Sequence, residues 1–297
     1  LIQSARFPEP SVVTLNGYVW QRVPKIEGIE ITPGVSFAQL IDEPAMIDEV
    51  YREEREDETL IISTITVALR QAFNPDQYPL DRYDINIRFS PLDFANNTIL
   101  VPDLSSYNVT APSLLPGLDD TVRINNWRLL ASAFGMGFRE YGTDMSIRQR
   151  PTVDVPELAF NIRVERLFLG PFVAFFLPAF VATLMIFGFL LIDQKPDESE
   201  EIVTALTYTA ALFFVVAVLH SALRENAAAI GLTYLEYFYL LLYVLTLFVA
   251  LNSFLIVNYP YLPIINIGDN LIAKLLFWPA VVGYMLAVTI YVFVLVR

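Results

Sequence analysis

Phe160–Pro178 reads FNIRVERLFLGPFVAFFLP, and two patterns meet inside it. Up to Arg166 apolar and polar residues alternate, as in a strand with one buried face. From Leu167 the charge disappears, and an apolar run continues to Ile192. At a rise of about 1.5 Å per residue, some 20 residues cross ~30 Å of hydrocarbon as a helix, and this run is long enough. The sequence therefore predicts a water-facing β domain over residues 1–166 joined to a membrane domain over residues 167–297.

The bulk numbers agree with that division. Hydrophobic residues make up 55% of the chain and the mean hydropathy is +0.49, both high for a soluble domain. Residues 1–166 carry 24 acids and 15 bases, whereas residues 167–297 carry 8 and 4. The net charge of −13 argues against a nucleic-acid partner, whose phosphates require Lys and Arg, and favours cations. With no cysteine there is no disulfide, thiolate metal site or thiol nucleophile. His220 is the one histidine and lies in an apolar run, which excludes a Ser–His–Asp triad in the first half and any His-rich metal site. The chain opens at Leu1 with neither Met nor a signal peptide, so an export signal ahead of Leu1 is expected.

Upstream of the boundary the reading is β. Val12–Val23, Ile61–Ala72, Tyr83–Phe89, Trp127–Phe138 and Glu157–Arg166 carry strand patterns, cleanest in YDINIRF, where Tyr83, Ile85, Ile87 and Phe89 share one face. Clusters such as FNPDQYP and LLPGLDD punctuate them. Many short strands so separated predict a β-sandwich. Downstream, four apolar segments predict helices at about 167–192, 202–223, 230–257 and 271–296. Short loops make neighbours antiparallel, giving a compact four-helix unit with both termini on one side. Loop charges do not orient it: Lys195 and Arg224 stand in the first two loops, and the third has no base.

The second helix is the most polar, with Thr204, Thr207, Tyr208, Thr209, His220 and Ser221, and acids precede it in DQKPDESEE, Asp193–Glu201. At about 100° per residue, Glu201, Ala205, Tyr208, Leu212, Val215 and Leu219 fall near one line, flanked by Thr204 and Val216. Such a stripe suits a pore: carboxylates at one mouth, polar rings within, then aliphatic rings. The expected selectivity residues are Glu200 and Glu201, and the expected lining and gate are Thr204, Ala205, Tyr208, Thr209, Leu212, Val216 and Leu219, so that Leu212→Thr should ease opening. Ordinary helix packing, where Thr and Ser also sit at contacts, is the alternative, as a solvated loop is for the acids. His220 is read as packing or lining a mouth rather than sensing protons. The acidic stretch Asp42–Glu58 is an exposed loop or strand pair, or else a calcium site built from Asp42, Glu43, Asp48, Glu49, Glu53 and Glu54; it lacks EF-hand spacing.

Several motifs resemble one family. YPLDRYDINIRF, residues 78–89, resembles the "Cys-loop" core of pentameric ligand-gated ion channels, an aromatic–Pro–aromatic/Leu–Asp tetrad followed by a strand, here Tyr78-Pro79-Leu80-Asp81. FNIRVERLFLGPFVAFFLP is similar to the strand that enters the family's first membrane helix, with Arg166 twelve residues before Pro178. PDESEEIVTALTYTAALFF resembles its linker and pore helix, and GVSFAQ (34–39) and NWRL (126–129) resemble pieces of its outer sandwich. The similarity runs from about Thr14 to Val296, closest to bacterial multidomain members modulated by calcium. The stretch before Leu167 is shorter than the family's usual outer domain. The loop RENAAAIG lacks the usual prolines, and no aromatic box for amine ligands is recognisable.

The resemblance implies a homopentamer: a β-sandwich extracellular or periplasmic domain on an all-α four-helix transmembrane domain, multi-pass in the cell (inner) membrane. It implies a cation-selective, ligand-gated channel rather than an enzyme. Four identical subunits, the lipid bilayer, permeating cations and an unidentified ligand are its partners, with no cofactor beyond a calcium ion as modulator. Tyr78, Pro79, Leu80, Asp81 and Arg166 would couple the domains, Asp81 pairing with Arg166 as in the family. A non-conducting membrane receptor whose β domain binds ligand is the alternative. An intramembrane enzyme lacks convergent polar groups, since His220, Glu236, Ser253 and Asp269 are scattered in sequence, and a transporter's inverted repeats are not apparent.

Overall fold

The structure is a computed structural model that describes residues 1–9, 11–41, 45–93, 98–107, 115–122, 124, 126–141, 153–192, 199–227, 229, 231–259 and 270–295. The chain divides into a β unit, Leu1–Phe73 with Arg82–Arg166, and a helical unit, Asn74–Asp81 with Leu167–Arg297. Residues 74–81, read from the sequence as part of the β domain, thus belong with the helices. The reason is Tyr78, which is buried within the apolar core formed by the helices.

The β unit contains β1 (Ile2–Glu9), β2 (Val12–Pro24), β3 (Val35–Phe37), β4 (Met46–Glu54), β5 (Glu58–Arg70), β6 (Arg82–Pro91), β7 (Trp127–Tyr141) and β8 (Val153–Arg166). They form two four-stranded antiparallel sheets in the orders β1-β2-β5-β4 and β3-β6-β8-β7. Alternation explains the core between them. Val13 and Leu15 of β2 and Ile65, Val67 and Leu69 of β5 meet Ile85 and Ile87 of β6 and Phe160, Ile162 and Val164 of β8 in one buried cluster. The opposite faces carry charge, as in the Arg163–Asp84 pair at 2.7 Å across β8 and β6. Gly117 sits at φ +82°, and a Cβ there would lie 2.5 Å from the Phe160 ring, so the turn needs both the left-handed backbone and the missing side chain.

Within the acidic stretch, β4 pairs antiparallel with β5 and lies at the edge of its sheet. It is a strand pair, with its side chains exposed almost throughout.

The helical unit contains α1 (Leu169–Leu191), α2 (Ser199–Ala227), α3 (Tyr234–Asn258) and α4 (Leu271–Leu295), each long and apolar enough to cross a membrane. In α1 a π turn over Phe172–Phe176 lies just before Pro178, whose missing N–H interrupts the i→i−4 ladder. The third helix starts at Tyr234 rather than at 230 because Thr233 and Glu236 form a capping box: the Glu236 N–H donates to Thr233 Oγ1 at 3.4 Å, and the Thr233 N–H donates to Glu236 Oε2 at 2.7 Å. Ala182 and Ile186 of α1, Val216 of α2, Leu242 of α3 and Val281 of α4 share the buried core.

Candidate functional site

Helix α2 has two unlike faces. Ala205, Thr209, Leu212, Val216 and Leu223 are buried against the same chain's other helices, at steps of three, four or seven residues. Tyr208 and Leu219 flank this face and are partly buried in the same cluster. The Tyr208 ring stacks on Phe189 at 4.7 Å and its hydroxyl donates to the Met185 carbonyl at 2.8 Å. Thr209 Oγ1 donates back to the Ala205 carbonyl at 2.8 Å, satisfying itself within the helix. Of the expected lining, Ala205, Thr209, Leu212 and Val216 are thus buried among the chain's own helices, with Tyr208 and Leu219 partly buried beside them. Thr204 is exposed, as is Glu200. For Glu201 the structure gives the backbone only, as the second residue after the Ser199 start, and Asp193–Glu198 lie outside the described residues.

The opposite face carries Glu200, Thr204, Thr207, Ala211, Phe214, Val218, Ser221 and Glu225, all exposed and repeating at alternating steps of four and three. Small or hydroxyl side chains occupy half of it, and a carboxylate stands at each end. The 25 steps from Glu200 to Glu225 span about 37 Å of helix, more than the thickness of a ~30 Å hydrocarbon layer. The other helices differ. α1 exposes Val173, Leu177, Phe180 and Leu184, and α4 exposes Leu275, Leu276, Val282 and Leu286, side chains suited to lipid tails.

The end of α2 near Glu225 is fixed by a polar network that sequence spacing conceals. Glu236 is fully buried at the start of α3. Its Oε1 accepts a hydrogen bond from Arg224 Nη1 at 2.9 Å and lies 3.6 Å from His220 Nε2. Arg224 Nη1 also donates to the Gly231 carbonyl at 2.8 Å. His220 Nδ1 lies 3.2 Å from the Tyr243 hydroxyl, and its ring stacks on Tyr239. His220 and Arg224 are four apart and so share a face, and T-x-x-E at 233–236 is a capping signature. Those were the available signals that these residues converge. Thr246 and Ser253 of α3 are buried as well.

The 74–81 segment seats on this same end of the bundle. A 3-10 turn at Pro75–Gln77, capped by Asn74, leads into Tyr78, whose carbonyl accepts the Leu235 N–H at 3.3 Å in the first turn of α3. The Tyr78–Pro79 peptide is cis, Asp81 is buried, and Leu80 is exposed. Asp76 lies close to Gly231 of the α2–α3 connection. Arg166 belongs to the β unit, where its guanidinium lies 4.3 Å from the centre of the Trp127 ring.

The acids proposed for calcium are strung along β4 and engaged by bases. Glu49 pairs with Arg52 at 2.7 Å, Glu53 with Arg55 at 2.7 Å, and Glu54 with Lys25 at 2.9 Å. The hydrogen bond from Arg52 holds Glu49 below the usual carboxylate range, and that from Lys25 does the same for Glu54. Asp48 is exposed on the same strand, and Asp42 and Glu43 lie outside the described residues. Among the described residues no three His, Cys, Asp or Glu converge on one point. Compared with models of protein families and with curated proteins, the chain matches none.

Proposed function

We propose that the chain is one subunit of a homopentameric, cation-selective, ligand-gated ion channel of the family its sequence resembles. It sits multi-pass in the cell (inner) membrane, with the β unit on the periplasmic or extracellular side. One observation carries the reading. The outward line of α2 runs between two acids and places Thr204, Thr207, Ala211 and Ser221 among the apolar Phe214 and Val218, while the named outward residues of α1 and α4 are large and aliphatic or aromatic throughout. Polar side chains at membrane depth face protein or water, not lipid. Five copies of this face around one axis, in a closed ring of heterologous contacts, supply both.

In that ring Glu200 crowns one mouth and Glu225 the other, which attracts cations and repels anions. Thr204 and Thr207 form polar rings, and Phe214 and Val218 form the apolar constriction that closes by expelling water. The Tyr78 carbonyl accepts the Leu235 N–H in the first turn of α3, which ties the 74–81 segment, the coupling element that the resemblance implies, to the helical unit. A ligand at the β unit shifts the gate only by binding open and closed states unequally. Calcium held between subunits by the β4 acids is the proposed modulator, and it requires the ion to compete with Arg52, Arg55 and Lys25.

Planar-bilayer recording of the purified protein in a salt gradient tests the proposal. Discrete openings that reverse near the cation equilibrium potential, from a complex of five-fold mass, are expected. Absence of openings, or reversal near the anion potential, overturns it. Currents compared with and without a chelator test the calcium step.

A further inference from the structure

The β unit contains a cavity of about 530 Å³, open on one side, that the channel reading does not use. Its floor is the apolar core between the sheets, where Leu15, Ile65 and Phe160 are buried. One wall is aromatic: Trp20 and Tyr107 lie with ring centres 5.6 Å apart, Tyr107 and Phe134 6.0 Å, and Phe134 and Phe160 4.6 Å. The rim is aliphatic. Ile26, Ile29, Ile99 and Val101 come from two different loops, line the same space, and are each at least 45% exposed. An isolated exposed isoleucine needs no explanation, but four around an apolar hollow of ligand size do.

Charge decides the class of occupant. Among the described residues the cavity's one carboxylate, Asp103, is already engaged. It accepts from Trp20 Nε1 at 3.0 Å and from the Ser105 and Ser106 hydroxyls at 2.6 Å each, and Arg22 Nε lies 3.4 Å away. Arg22, which lines the same cavity, is itself turned to Asp103 and donates from Nη2 to the Ser106 hydroxyl at 3.4 Å, so a cationic ligand finds the carboxylate neutralised and an anionic one finds the guanidinium already paired. Neither charge finds an exchange for its lost hydration, whereas an uncharged ring finds aromatic and aliphatic walls.

We propose that this cavity is a binding site for an uncharged, largely apolar cyclic molecule, held between the Trp20–Tyr107–Phe134 wall and the Ile26/Ile29/Ile99/Val101 rim. All its walls belong to one chain, so the site does not depend on the assembly proposed above.

Quenching of Trp20 fluorescence tests it in the full chain in lipid nanodiscs. The probes are 4-bromobenzyl alcohol, 4-bromobenzylammonium and 4-bromobenzoate, alike in shape and different in charge, with bromine quenching an indole that it touches. The alcohol should quench saturably, and at least ten-fold more tightly than either ion. Trp20→Phe should abolish the saturable part, leaving the linear quenching that bilayer partition causes at Trp278. Leu100→Phe, which fills the cavity from its wall, should weaken the alcohol at least ten-fold. Linear quenching by all three probes in the unmodified protein overturns the site without any variant. Tighter binding of the ammonium probe overturns the assignment of an uncharged ligand.

Discussion

Arg224 donates to the Glu236 carboxylate at 2.9 Å across the turn between α2 and α3, joining a half-exposed guanidinium to a fully buried acid. The same acid caps α3 through Thr233. Arg224→Ala leaves a buried carboxylate without its cation, and the loss should be about 1.5–3 kcal/mol, the range for hydrogen bonds to charged groups. Arg224→Lys restores a point charge without the fork and should recover part of it. Thermal unfolding of the three proteins in detergent checks this. Equal midpoints for the alanine variant and the parent would show that the contact contributes nothing.

The two faces of α2 make opposite predictions for water access. Cysteines placed at Thr204, Thr207 and Ser221 should react with charged thiol reagents applied from water. Cysteines at Ala205, Thr209 and Val216 should stay unmodified in the folded protein. The chain has no native cysteine, so each reaction reports one position. Labelling of the second set at rates matching the first would return the pore to the inward face.

The burial of α2 shows what sequence periodicity holds and what it omits. Spacing says which residues of a helix share a face. It does not say whether that face meets the bundle or turns away from it, because small and hydroxylated residues stand on both faces of α2. Tyr208 suggested water, yet the Met185 carbonyl satisfies its hydroxyl in a packed setting. Strands with one buried face were readable for the opposite reason: in β6, Tyr83, Ile85 and Ile87 have one place to go. β4 has no buried face to impose a period, so its acidic sequence fitted a loop or a strand equally well. The Glu236 network was concealed because its members come from two helices and the turn between them.

Acid should loosen the β unit at Asp103. Hydrogen bonds from Ser105 and Ser106, then from Trp20, with the Arg22 charge, hold its carboxyl down at about 2 against the burial that raises it. A carboxyl depressed in the folded state contributes stability fully above its ordinary value near 4 and loses that contribution as the pH falls toward about 2. Asp103→Asn should therefore be less stable than the parent near neutrality, by about 1 kcal/mol once solvent screening is allowed for. The gap should close between about pH 4 and pH 2. Denaturant unfolding followed by tryptophan emission across that range is the measurement, and a gap independent of pH would remove the ionised carboxylate as its cause.

Leu212 and Phe214 stand two residues apart on α2 and separate folding from the proposed gating. Leu212 is 6% exposed within the bundle, while Phe214 is 69% exposed on the outward face. Leu212→Thr removes buried carbon and introduces a hydroxyl, and should cost about 2–4 kcal/mol by comparison with other large-to-small core changes. Its effect on current should follow the loss of folded protein. Phe214→Thr alters no packed contact of the bundle and should shift stability by no more than about 0.5 kcal/mol. It replaces an apolar ring at the proposed constriction with a hydroxyl that holds water, so in a channel it should raise the resting open probability. Unfolding midpoints and single-channel records of both variants separate the two roles. A Leu212→Thr protein that is fully stable and opens more easily, beside a Phe214→Thr protein that gates normally, would place the closing ring back on the inward face.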